Sequence, residues 1–107
     1  MNDPRDLIPL KPLVFQVLLA LTEGERHGWS LVREVRQRTG GDRILPANFY
    51  RTLRGMLGDG LIEEAGRKED RRYFRVTTLG RDAARLEARR LQELLGDART
   101  RRLLRKT

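Results

Sequence analysis

Between residues 46 and 77 the apolar residues change their period, and that change constrains the fold more than any other feature of the chain. Phe49, Leu53, Met56 and Leu57 gather on one side of a helix at about 100° per residue. Gly60 ends that helix near Asp59. The stretch "RRYFRVTT" then alternates, with Phe74 and Val76 on one face and Tyr73, Arg75 and Thr77 on the other. "LIEEAG" supplies a partner strand, and "RKED" between them predicts a polar tip longer than a two-residue turn.

Upstream, Leu13, Val14, Val17, Leu18 and Leu21 repeat with helical spacing, and "TEGERHG" breaks that helix. A second helix is predicted from Gly28 to Thr39, with Trp29, Val32 and Val35 inside and Arg33, Arg36 and Arg38 outside. "TGGD" is its stop signal, "RILP" an extended link, and Pro46 suits the first turn of the third helix. Thr77 or Thr78 can cap a last helix beginning near Leu79. The order helix, helix, helix, hairpin, helix is mainly α with a small β-hairpin, the winged form of the helix-turn-helix. It divides into an N-terminal arm (1–12), a winged helix-turn-helix domain (13–77), a C-terminal dimerisation helix (78–98) and a basic tail (99–107).

The outward side of the third helix carries Asn48, Arg51 and Arg54 among Ala47, Gly55 and Gly58. Glycine inside a helix costs about 1 kcal/mol against alanine, so a cationic side kept almost bare suits close approach to something large and negative. The DNA major groove admits an α-helix, and Arg and Asn side chains bind base edges there. The competing explanation is a solvated surface with glycines loosening the helix end. Arg67, Lys68, Arg71 and Arg72 surround Glu69 and Asp70 at the hairpin tip, placed to reach the phosphate backbone. Tyr50, at the border of the two faces, either points its hydroxyl to a phosphate or simply edges the core.

The charge balance agrees with such a partner. The chain has a net charge of +8, and residues 78–107 hold nine cations against four acids. Its end, "RTRRLLRKT", is either a solvated tail or a phosphate contact. There is no cysteine and one histidine, so no thiolate site, no metal site and no cofactor are expected. His27 is weighed as a packing element at a helix start against a pH sensor, and Trp29 as core against the lining of an effector pocket. Ser30 has no base near it in sequence, and no glycine-rich phosphate loop follows a strand, so no catalytic residue and no enzyme is expected. No apolar run reaches the ~18 residues of a membrane span, and the first residues do not read as a signal peptide. The expectation is a soluble cytoplasmic protein.

"HGWSLVREVRQRTGG", "PANFYRTLRGMLGDGLIEE" and "RRYFRVTTLGRDAARLE" together resemble the PadR family of bacterial winged-helix transcriptional regulators over roughly residues 10 to 90. The family pattern has a small hydroxyl residue near Asn48 and Leu at Phe49, where this chain differs. The resemblance implies that Asn48, Tyr50, Arg51 and Arg54 touch DNA and that the basic wing residues lie on its backbone. It also implies a homodimer through the single C-terminal helix, and it leaves open a small-molecule effector of unknown kind.

The last helix supports the dimer independently. Leu79, Ala83, Leu86 and Leu94 mark one side, and Ala84, Ala88, Leu91, Leu95 and Ala98 another, an arc of about 200° where packing on one surface needs about 100°. Glu87 and Arg90 interrupt it. One side is expected to cover the domain and the other to meet a second helix, with Leu79, Leu86, Leu91, Leu94 and Leu95 as dimerisation residues. The expected function is a sequence-specific, DNA-binding regulator, a repressor acting as a homodimer on an inverted-repeat operator. The alternative is a winged-helix module for protein or RNA partners. Its exposed helix side would be apolar, not cationic.

Overall fold

The apolar run after Leu13 folds as α1, Pro12–Thr22, which buries Val17, Leu18, Ala20 and Leu21. The computed structural model describes residues 3–39 and 44–105. The second helix, α2, spans Gly28–Thr39 and buries Leu31, Val32 and Val35. Leu31 takes the place expected of Trp29, which is 50% exposed. Gly28 explains the difference: a Cβ there would lie 3.1 Å from Cε1 of Tyr50, so that ring closes the start of α2 and Trp29 is left at the rim. The stop signal expected at Gly40, Gly41 and Asp42 lies outside the described residues.

The third helix, α3, spans Pro46–Gly58 and buries Phe49, Leu53 and Met56. Its end is capped by the backbone that follows. Gly60, at φ +77°, turns the chain so that its N–H donates to Leu57 and the Leu61 N–H to Met56. Leu61 and Ile62 then enter the core as the hairpin begins.

The hairpin pairs β2, Ile62–Lys68, with β3, Arg71–Val76, and a bulge between Glu64 and Gly66 admits Ala65 as an extra residue. The turn is shorter than "RKED" suggests. Glu69 and Asp70 alone make it, at φ +53° and +62°, the left-handed pair that a two-residue hairpin turn needs. A third strand was not foreseen: β1, Arg26–His27, pairs antiparallel with β3, placing Arg26 opposite Phe74 and His27 opposite Tyr73. The sheet order is β1-β3-β2. Two residues are too few to show a period, so the helix-breaking segment hid it.

The fourth helix, α4, spans Thr78–Gly96, with Thr77 as its cap accepting from the Gly80 N–H. The apolar arc of α4 is divided end to end, not side to side. Its first half buries Gly80, Ala83, Ala84 and Glu87 against the domain, whereas Leu94 and Leu95 near its end are 49% and 57% exposed. Leu79 packs against the core of its own domain. Glu87 does not interrupt this contact; it anchors it. The arm forms a short 3-10 turn, Pro4–Leu7, that packs on α4, and the Leu10 N–H donates to Glu87 Oε1 at 3.2 Å. Arg90 clamps the same carboxylate through two hydrogen bonds of 2.9 and 2.6 Å. After Asp97 the expected basic tail forms a further helix, α5, over Ala98–Leu104.

Glu87 therefore ties arm to helix at 2% exposure. Glu87→Ala leaves a buried N–H and Arg90 without their acceptor, and denaturant unfolding at pH 7 should show a loss of about 1–3 kcal/mol. The Arg90 hydrogen bond holds the Glu87 carboxyl below the usual glutamate value. Its stabilisation is thus complete above the unfolded-state value and lost as pH falls through the lower folded one. The variant should lose stability less steeply on acidification than the wild type.

Candidate nucleic-acid interface

Burial of Phe49, Leu53 and Met56 fixes which side of α3 faces out. Ala47, Asn48, Arg51, Arg54, Gly55 and Gly58 are all exposed there. Arg51 Nη1 lies 3.4 Å from Asn48 Oδ1, a long contact that leaves the guanidinium fork available. Arg54 has no hydrogen-bond or ion-pair partner among the described residues.

The glycines divide sharply. A Cβ built on Gly55 or Gly58 meets nothing within 4 Å among the described residues. A Cβ on Gly80 would overlap the Leu61 carbonyl. Gly80 is therefore demanded by packing inside the chain, whereas Gly55 and Gly58 are not. Each of those two carries a helix penalty of up to about 1 kcal/mol that no described intramolecular contact offsets.

The wing is electrostatically unfavourable by itself. Its register places Arg67 opposite Arg72 and Lys68 opposite Arg71, and like charges directly opposite repel across a ladder. Arg72 is relieved by Glu64, 2.8 Å away, and lies over the Phe74 ring. Lys68 Nζ sits 5.8 Å from the centre of the Tyr73 ring. Glu69 and Asp70 occupy the turn itself, in a conformation that favours glycine or asparagine.

An open cleft of about 400 Å³ lies between α3 and the wing. It brings together Tyr50, Arg54, Arg67, Arg71 and Arg72 of the predicted site residues. Lys68 is not on it. Arg51 lies round the helix, lining a second groove with Lys11 and Gly55, and Asn48 is exposed near it. Six cleft residues were not chosen from the sequence: Gly28, Leu53, Asp70, Phe74, and His27 and Trp29, whose position depends on β1 and on the missing side chain of Gly28. Among the described residues there is no cluster of His, Cys, Asp or Glu fit to hold a metal, and no helix long and apolar enough to cross a membrane.

A bare cationic helix beside a cationic hairpin is the arrangement on which the comparisons with known proteins bear. The model of the Transcriptional regulator PadR-like family matches residues 17–86. The chain belongs to that family. This PadR-like protein is thus a winged-helix transcriptional regulator, and members of the family are not enzymes. Its fold is similar to RosR of H. salinarum, with a TM-score of 0.74 and 23% identity over 92% of this chain and 90% of that one. A PadR-like transcriptional regulator from Bacillus cereus gives 0.75 and 17% over 89% and 93%. A PadR family transcription regulator from Clostridium difficile gives 0.68 and 18% over 80% and 96%. No match was found among curated proteins.

The turn offers a direct check of the wing geometry. Glu69→Asn with Asp70→Gly places residues that tolerate positive φ at both positions and should stabilise the fold by about 1 kcal/mol or more. Thermal unfolding at fixed protein concentration should move up by roughly 4–8 °C per kcal/mol. A lower midpoint would show that the turn is not of this two-residue type.

Proposed function

We propose that this PadR-like regulator is a homodimeric repressor that works in the cytoplasm by occupying an inverted-repeat operator. In this reading α3 of each protomer enters the major groove, where Arg51, Arg54 and Asn48 meet base edges and Tyr50 edges the contact. Arg67, Lys68, Arg71 and Arg72 lie on the phosphate backbone, and the repressor acts by denying polymerase the promoter. The observation that carries the reading is the bareness of α3. Gly55 and Gly58 satisfy no described contact inside the chain, and close approach by an outside partner accounts for their cost. A partner met by Arg51, Arg54 and four wing cations is anionic, and an α-helix fits the major groove.

The projecting end of α4 supports the dimer. Leu94 and Leu95 are about half exposed and Leu91 partly so, while Leu103 and Leu104 on α5 are 82% and 68% exposed. A helix end this apolar needs cover, and a second copy supplies the same surface by two-fold symmetry. Leu86, Leu91, Leu94 and Leu95 form the proposed contact; Leu79 is left to its own core. Two copies of α3 about one helical turn (~34 Å) apart would fit two half-sites.

Electrophoretic shift of DNA from upstream of the protein's own gene tests the operator. Once a site is found, Arg51→Ala should cost about 1–3 kcal/mol and relax base preference, while Lys68→Ala should weaken all sequences alike and lower the salt slope by about one. Gly55→Ala is the sharpest variant, because it should raise thermal stability by about 0.5–1 kcal/mol yet weaken operator binding. Unchanged operator affinity for Gly55→Ala would remove the close-approach interpretation. Leu94→Glu with Leu95→Glu should convert a species of twice the chain mass into a monomer, read by light scattering. A wild type that is already monomeric at micromolar concentration would refute the dimer.

A further inference from the structure

His27 is the chain's single histidine, and its surroundings pose a contradiction that an outside group resolves. It stands immediately before α2 and acts as the cap of that helix. Its Nδ1 accepts the Ser30 N–H at 3.2 Å, and Ser30 Oγ returns a hydrogen bond of 2.8 Å to the His27 carbonyl. A backbone N–H can only donate, so Nδ1 must be the unprotonated nitrogen, and neutral imidazole then carries its hydrogen on Nε2. The Arg71 guanidinium lies 3.2 Å from that same Nε2. Arginine has no acceptor. Two donors therefore face each other at hydrogen-bonding distance with nothing between them to accept.

Protonation does not relieve the conflict. It would add a hydrogen at Nδ1, against the Ser30 N–H, and a charge beside Arg71. Burial, then Arg71 and Arg33, hold the His27 imidazole below its ordinary value, so the ring is neutral at pH 7. Tyr73 meets the ring edge-on with centroids 5.5 Å apart, fixing its plane. Arg71 is exposed on the solvent side of the pair. An oxygen carrying lone pairs and negative charge, set at the mouth between the two, would accept from both at once. The pair opens onto the cleft between α3 and the wing, lined also by Trp29, Tyr50, Arg54, Arg67 and one acid, Asp70, so cations outnumber carboxylates there.

We propose that His27 Nε2–H and the Arg71 guanidinium form a two-pronged seat for one non-bridging phosphate oxygen of the DNA backbone. The seat rests on the proposed operator binding and adds a contact beyond α3 and the wing tip. His27 contributes as a neutral donor and Arg71 as the charge. Because His27 caps α2 and pairs with β3, the seat ties the recognition unit to the backbone at the root of the wing.

The two prongs have different signatures. A mixed-sequence duplex of about 30 base pairs serves as probe, since a backbone contact does not depend on sequence. Its affinity is read by fluorescence anisotropy over a range of salt. Arg71→Ala should weaken binding and lower the slope of log affinity on log salt by about 0.9, the value of one neutralised phosphate. His27→Asn keeps a good helix cap but removes the Nε2 donor. It should weaken binding roughly tenfold with the salt slope unchanged, and the two substitutions together should lose less than the product of the two. A purely structural histidine predicts the opposite, with His27→Asn folding as well as wild type and binding equally.

Nitrogen-15 spectra of the lone imidazole give a second readout on the unaltered protein. The free protein should show the Nε2–H tautomer, and the duplex should shift and protect that hydrogen. A free protein protonated on Nδ1, or a signal unmoved by bound duplex, would overturn the seat while leaving operator binding intact. An equal shift with inorganic phosphate alone would overturn its assignment to the DNA backbone. Failure of the wild type to bind any duplex would overturn the proposed function and the seat with it.

Discussion

The carbonyl of Leu61 is the joint on which the geometry of the interface depends. The Leu61 N–H closes the end of α3 on Met56, while its carbonyl accepts the Thr77 N–H at 3.1 Å, and the Thr77 hydroxyl donates to the adjacent Gly60 carbonyl at 2.5 Å. Thr77 in turn caps α4 through the Gly80 N–H, and Gly80 has no side chain because the Leu61 carbonyl occupies the space. One residue, through the two peptide groups that flank it, thus fixes the exit of α3, the closing of the hairpin and the start of α4. The proposed operator contact needs α3 and the hairpin at a constant separation, and this joint holds it. The positive φ of Gly60 makes the joint possible, since few other residues turn there without strain.

Around that rigid joint, the face shared by α3 and the wing is left unsatisfied. Cations oppose cations across the ladder, two donors meet at His27, and glycines are spent where alanine would serve the fold better. Acidic neighbours relieve only part of this, mainly at Arg72. Each feature is mildly unfavourable in the isolated chain and becomes favourable beside a polyanion, because bound phosphate supplies both acceptor and charge. Together they place the unsatisfied groups where a duplex would supply the missing acceptors.

The opposite end of the molecule is treated differently. The arm and the first half of α4 close on each other through buried Glu87, whose two oxygens accept from Leu10 and Arg90. A buried carboxylate is costly unless fully paired, and here its pairing makes it a fastener. The second half of α4 extends past this contact with its leucines uncovered, so anchoring and projection belong to successive stretches of one helix.

The sequence by itself determined the element types and the faces of α1 and α3, because their apolar spacing runs over enough turns to fix a period. Proline and glycine marked the limits of α3, and the density of arginine around it pointed to an anionic partner. Alternation likewise revealed β3. Tertiary structure decided what no local period encodes. It made a third strand of Arg26 and His27, exposed Trp29 because Tyr50 fills the space over Gly28, and shortened the wing turn to Glu69 and Asp70. It also turned Glu87 from a break in an apolar arc into the group that holds the arm. Apart from the turn, these are pairings between residues far apart in the chain, settled by which atoms meet and which hydrogen bonds remain to be made, and spacing along one segment carries no record of them.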